Sequence, residues 1–163
     1  MKRSPTQSFV PDSQATRTQY GALCWRPAGT GVEILLVTSR DTGRWVIPKG
    51  WPIEGLDPAQ SAAREAWEEA GARGVADPDC LGCYSYEKVL RRAPEGQEDQ
   101  TVPCVVAVYA LQVARQIKDF PEARQRRCKW FSPEKAAARV DEPELAALIA
   151  GFRPPGSPGD VVT

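Results

Sequence analysis

Three glutamates, Glu65, Glu68 and Glu69, crowd a short stretch of this chain. On a helix, Glu65 and Glu69 would stand one turn apart on the same side, with Glu68 within about 100° of both. Like charges at that spacing repel by about 0.3 kcal/mol per pair. A hard divalent cation such as magnesium relieves the repulsion, since it takes oxygen ligands and fills its other positions with water. Such an ion can bridge phosphate oxygens, lower the pKa of a bound water and offset charge in a transition state. A carboxylate left over can accept the proton of the attacking water. A solvated acidic helix face has the same composition, so Arg64-Glu65-x-x-Glu68-Glu69 does not decide the matter alone.

What the chain lacks narrows the chemistry. It has no histidine, so Ser-His-Asp and Cys-His arrangements and His-dependent zinc sites are excluded. Its 21 basic residues balance 21 acidic ones, which speaks against bulk or sequence-specific nucleic-acid binding. The five cysteines form no secreted disulfide pattern. Cys80 and Cys83 are a CxxC pair without the second pair a structural zinc needs. Three residues is not a same-face spacing on a strand, so they read as reduced, inert thiols. Lys2 and Arg3 are followed by no apolar stretch, and the longest apolar run, Cys104 to Leu111, is too short for a membrane span. A soluble cytoplasmic protein is the expectation.

The elements that must position the glutamates follow from pattern. Asp57 suits an N-cap, Pro58 the first helical position, and Gln60 can close a capping box, so a helix is predicted over Pro58–Ala70. Gly71 stands where a helix ends in a left-handed turn. Ala59, Ala62, Ala63, Ala66 and Ala70 share the face opposite the glutamates, small enough to let the helix backbone lie close to a sheet. Strands are predicted at Gly21–Arg26, Glu33–Ser39, Arg44–Pro48, Cys80–Val89, Val102–Val113 and Cys128–Phe131. Ile34 to Val37 is apolar on both faces, as in a buried central strand. The polar loop from Arg91 to Gln100 joins two antiparallel strands. Two more helices are predicted over Pro133–Ala138 and Glu142–Ala150, the second with Ala146, Ile149 and Ala150 beside Leu145. Residues 1–16 read as a disordered leader, 17–152 as one domain and 153–163 as a flexible tail. Strands mixed with helices give an α/β or α+β sandwich.

Context gives the acidic helix its meaning. Gly50 precedes Arg64 by fourteen residues, and Gly71 follows Glu69 after one. The stretch Gly50–Ala72 resembles the Nudix box, Gly-x5-Glu-x7-Arg-Glu-U-x-Glu-Glu-x-Gly-U, with U bulky and apolar. Gly50, Arg64, Glu65, Glu68, Glu69 and Gly71 match in place. Leu56 occupies the first glutamate position, and Ala66 and Ala72 the U positions. Glu54 or Asp57 are the candidates to substitute for the missing glutamate. The resemblance runs from about Tyr20 to Phe152. Leu35 to Arg40, Gly43 to Gly50 and Arg126 to Phe131 resemble the diphosphoinositol-polyphosphate and diadenosine-polyphosphate branch. It implies an α/β/α sandwich around a mixed sheet, and hydrolysis of a phosphoanhydride in an X-linked diphosphate. It implies magnesium, with manganese as the alternative ion, on Glu65, Glu69 and the Lys49 carbonyl. It further implies Glu68 as general base and Arg64 as orienting partner of the carboxylates.

A heavily phosphorylated small molecule needs cations beyond the metal. Arg40, Arg44 and Lys49 stand next to the box and are the first candidates, with Gly50 and Trp51 on the same loop. Arg26, Lys88, Arg91, Arg92, Arg127 and Lys129 are further ones. The other tryptophans read as core or boundary residues. Inositol pyrophosphates and dinucleoside polyphosphates are the expected substrates. The rival readings are a nucleoside triphosphate or nucleotide-sugar pyrophosphohydrolase, and a non-catalytic Nudix module, which Leu56 keeps open.

Overall fold

The computed structural model describes residues 15–155. Of the expected leader and tail, residues 1–14 and 156–163 lie outside that range. Alternation builds the architecture. Along β1 (Arg17–Ala28), Ala22 and Cys24 face one side of the sheet, while Leu23 and Trp25 face the other. Along β2 (Gly31–Thr38), Leu35 and Val37 oppose Ile34 and Leu36 in the same way, all four fully buried. Side chains two apart share a face, so a strand with both faces covered carries two interleaved apolar sets. The first set packs on helix α1 (Pro58–Ala70), the second on α2 (Pro133–Arg139) and α3 (Pro143–Ala150). The result is an α/β/α sandwich.

The sheet runs β3-β2-β1-β6-β5, with β3 at Trp45–Val46, β6 at Gln100–Gln116 and β5 at Ala72–Arg91. β1 and β6 are parallel and the other pairings antiparallel, giving a mixed sheet. β4 (Lys49–Gly50) pairs with β1, and β7 (Cys128–Phe131) with β2. The strand expected over Arg44–Pro48 is thus divided. Its first part pairs with β2, and after Pro48, which has no N–H for a ladder, the chain crosses to β1. β5 is also longer than the expected Cys80–Val89. Its first half is polar and bulged, and an edge strand with that composition has no clean alternation to read.

One bulge overturns the argument about Cys80 and Cys83. Cys80 lies opposite Tyr109, Gly82 opposite Val108 and Cys83 opposite Ala107. Leu81 is the extra residue, so the two cysteines share a face. Ala150, placed in the apolar stripe of α3, is exposed because the helix ends there, whereas Leu145 and Ile149 are fully buried.

Candidate active site

Helix α1 begins and ends as its termini dictate. The Asp57 carboxylate accepts the Gln60 N–H at 2.8 Å, and the Gln60 side chain accepts the Asp57 N–H at 3.0 Å. Ala59, Ala62, Ala66 and Ala70 are buried against the sheet. At the other end, Gly71 is left-handed at φ 67°, where a side chain would be strained and would also strike the Ile117 carbonyl. The last carbonyls of a helix have no partners within it. Here the segment after β6 supplies them. Gln116 Nε2 donates to Ala70 O, the Ile117 N–H to Gly71 O and the Glu122 N–H to Glu68 O. That segment then carries Glu122 and Arg126 to the carboxylates.

Glu69 is the buried member of the trio, at 5% exposure. Its carboxylate lies 3.3 Å from Arg126 Nη2 and accepts the Lys49 N–H at 3.4 Å. Arg126, itself buried, also donates from Nε to Glu122 at 2.6 Å and from Nη1 to the Thr38 carbonyl at 2.9 Å. Glu65 is half-buried beside Glu69. Burial first, then the Glu69 charge and a hydrogen bond to it, push the Glu65 carboxyl up to about 8. Burial also raises Glu69, against the pull of Arg126 and Lys49. Each carboxyl thus holds its proton more tightly than a free glutamate does. Gly50 explains itself here. A Cβ at that position would collide with the Glu65 carboxylate, so the missing side chain is what admits it.

Beside this cluster lies a cavity of about 150 Å³ lined by six cations, Arg40, Arg44, Lys49, Lys88, Arg92 and Arg126. Asp41 and Glu87 are its acidic lining residues. Lys49 and Arg126 belong to both cavity and cluster, which makes the two continuous. The cations differ in what already holds them. Arg44 is 2.7 Å from Glu142 and 3.7 Å from Asp141, Arg92 is 3.0 Å from Asp99, and Arg126 is held by Glu69 and Glu122. Among the described residues Arg40 donates to the neutral Gln125 amide alone, at 3.3 Å. Lys49 sits over the Tyr86 ring and Lys88 over that of Trp51, at 5.0 and 5.8 Å. Burial lowers the Lys49 pKa from its ordinary value, with Glu69 opposing.

The NUDIX domain family model matches residues 16–152. The chain belongs to the Nudix hydrolases. It is 33% identical over 129 residues to "Nudix hydrolase 16, mitochondrial" of Arabidopsis thaliana, covering 77% of this chain and 68% of that one. It is 26% identical over 162 residues to "Diphosphoinositol polyphosphate phosphohydrolase 3-alpha" of Homo sapiens, covering 97% and 91%. The crystal structure of C. elegans Ap4A hydrolase has the same fold, with a TM-score of 0.55 at 22% identity, over 83% of this chain and 95% of that one. Nudix hydrolases work with a divalent metal ion.

The residues of this Nudix hydrolase fit such an ion. A buried and a half-buried carboxyl one turn apart, both raised in pKa, are a donor set that suits a divalent cation. Among the described residues no three Cys, Asp or Glu side chains already converge on one point. The fit carries a pH signature. Glu65 is raised from its ordinary 4.5 to about 8, so in the metal-free protein it keeps its proton below that pH. Its contribution to metal-free stability is complete below 4.5 and disappears as pH rises through about 8. Metal binding has the opposite slope, because the ligand must lose its proton. We expect apparent magnesium affinity by calorimetric titration to rise steadily toward pH 8 and level off above it, with proton release at pH 7. An affinity flat from pH 6 to 9 would remove Glu65 from the ligand set.

Arg64 is not where the resemblance implied. It is exposed, with no ion pair to Glu65 or Glu69 among the described residues, and it lines a separate groove with Leu56, Gln60, Trp67 and Arg73. The guanidinium on the carboxylates is Arg126. Sequence reasoning carried Arg126 only as part of a resembling segment, and missed Glu122, Gln125 and Tyr86. Of the substitutes for the lost box glutamate, Asp57 is committed to the helix cap, and Glu54 is exposed. Arg26 pairs with Glu33, while Arg127 and Lys129 lie over Trp45 and Phe131, outside the cavity lining. Trp51 is 37% exposed on the loop beside Lys88. Because Leu56 faces the Arg64 groove and not the cation cavity, Leu56→Glu should leave kcat/KM within about tenfold, or 1.4 kcal/mol of barrier. A thousandfold gain would mark this chain as a degraded binding module.

Proposed function

We propose that this Nudix hydrolase cleaves a phosphoanhydride bond in a substrate with many phosphates, an inositol pyrophosphate or a dinucleoside polyphosphate, with magnesium. The observation that carries the reading is the cation-lined cavity continuous with Glu65 and Glu69, three of whose cations form no salt bridge among the described residues. Glu65 and Glu69 hold the metal, joined by the Lys49 carbonyl. In an extended residue the amide and carbonyl project to the same side, and the Lys49 amide points at Glu69. The ion, when bound, supplies charge neutralisation for the phosphates and acidifies a water. Glu68 accepts the proton of the attacking water. Arg40, Lys49 and Lys88 hold the phosphates, and Arg44 and Arg126 shape the wall.

The test is metal-dependent product release over a panel of inositol pyrophosphates, dinucleoside polyphosphates, nucleoside triphosphates and nucleotide sugars. The first two classes should have the highest kcat/KM. A nucleotide sugar turned over as well would overturn the substrate assignment. No turnover of any would establish a binding module.

The unequal pairing of the cations gives a sharper expectation. Arg40→Ala should lower kcat/KM about tenfold or more on a substrate with many phosphates, since a charge-assisted hydrogen bond contributes about 1.5–3 kcal/mol. It should matter little for a nucleotide sugar. Arg44→Ala should lower Tm and cost all substrates alike, because it leaves Glu142, at 8% exposure, without its counterion. If Arg44→Ala were the substrate-dependent one, Arg44 and not Arg40 would be the phosphate ligand.

A further inference from the structure

The bulge in β5 sets two exposed thiols side by side on the edge strand of the sheet. Between Cys80 and Cys83 the chain advances three residues while β6 advances two, from Tyr109 to Ala107. Gly82 makes this conformation available. Its φ of 155° suits glycine, and a Cβ there would press on the Leu148 side chain of α3 at 2.8 Å. Cys83 and the Tyr109 hydroxyl both lie close enough to Cys80 for it to raise their pKa values. Cys80 Sγ also lies 3.4 Å from the Gly82 carbonyl. Both cysteines are free and exposed, whereas Cys24 and Cys104 are buried. Neither belongs to the cation cavity or the carboxylate cluster.

We propose that Cys80 and Cys83 form a dithiol modification site, closed to an intramolecular disulfide by exchange with a low-molecular-weight disulfide. The Cys80 sulfur, flanked by Cys83 and Tyr109, attacks the external disulfide; its proton leaves with the released thiol, and a mixed disulfide remains. Cys83 then attacks Cys80 Sγ, its proton leaves with the second external thiol, and the Cys80–Cys83 bond forms. Two protein thiols are oxidised and one external disulfide is reduced to two thiols. Burial, then Cys80, raise the Cys83 thiol above its ordinary value, which suits it to the second step and not the first.

The experiment treats the full chain with oxidised glutathione, quenches with an alkylating reagent and maps the peptides by mass. The expected product is a Cys80–Cys83 bridge lighter by two hydrogens and reversed by dithiothreitol. In Cys83→Ser, glutathione should remain on Cys80. In Cys80→Ser, Cys83 should react at least tenfold more slowly. Phenylarsine oxide, a trivalent arsenical that takes two thiols, should protect both cysteines of the native chain from alkylation, and neither in the single variants. Glutathione persisting on Cys80 of the unsubstituted chain would overturn the proposal, as would arsenical protection no greater than in the variants.

Discussion

Glu69→Gln is expected to remove hydrolysis almost entirely while the protein stays folded. Glu69 is the most buried carboxylate of the box helix and the one to which the Lys49 amide and Arg126 both point. A neutral amide of the same shape is a poor ligand for a hard divalent ion. The loss should be two or more orders of magnitude in kcat, about 3 kcal/mol or more of barrier. The metal concentration giving half-maximal rate should rise in parallel. The fold should survive because the substitution removes a buried carboxylate whose charge works against the neighbouring Glu65. Arg126 also keeps Glu122 at 2.6 Å and the Thr38 carbonyl at 2.9 Å. Titrating the metal requirement alongside a thermal melt separates the two effects. An unchanged rate at an unchanged metal requirement would remove Glu69 from the metal set.

Arg126→Ala should have the largest effect on stability. The side chain is 8% exposed and bonds three groups, among them the buried Glu69 carboxylate, which would keep only the Lys49 amide. Removing one side of a buried ion pair costs about 3–5 kcal/mol, chiefly through the charge left behind. For a chain of this size that corresponds to a fall in Tm of roughly 10 °C. A double substitution discriminates the cause. In the Glu69→Gln background the same arginine change should cost markedly less, because one stranded charge is already gone. Arg126→Lys should recover part of the loss, since it restores charge but not the three-way fork. A cost below about 1 kcal/mol would mean that solvent reaches Glu69 and Glu122 freely, and the raised pKa of Glu65 would lose its explanation.

Much of this was legible because local rules governed it. The box helix was readable to the residue. Its cap, its first proline and its terminal glycine are each fixed by neighbours within four positions, and the alanine face follows from one period, although Glu69 is buried beside those alanines and not opposite them. The same holds for the alternation in β2 and for β7. The split at Pro48 was not legible, because the partner strand changes there and the ladder lies far away in sequence. The bulge at Leu81 was not legible either, since register belongs to two strands and the cysteine spacing describes only one.

The amino-acid sequence by itself determined that a well-capped helix carries Glu65, Glu68 and Glu69, and that in a chain without histidine the chemistry falls to carboxylates, lysines, hydroxyls, thiols or a bound metal. Tertiary structure decided which cation serves them. Arg64 is adjacent in sequence and faces away, whereas Arg126 arrives from beyond β6 because the unpaired carbonyls at the end of the helix bind its segment. It also decided which cavity cations have charge available for a ligand. Arg44 and Arg40 look alike in sequence, yet one is met by Glu142 and the other by a neutral amide. Helix faces and caps depend on residues a turn apart, which a sequence displays. Ion pairing depends on carboxylates brought close by folding, and no local spacing encodes them.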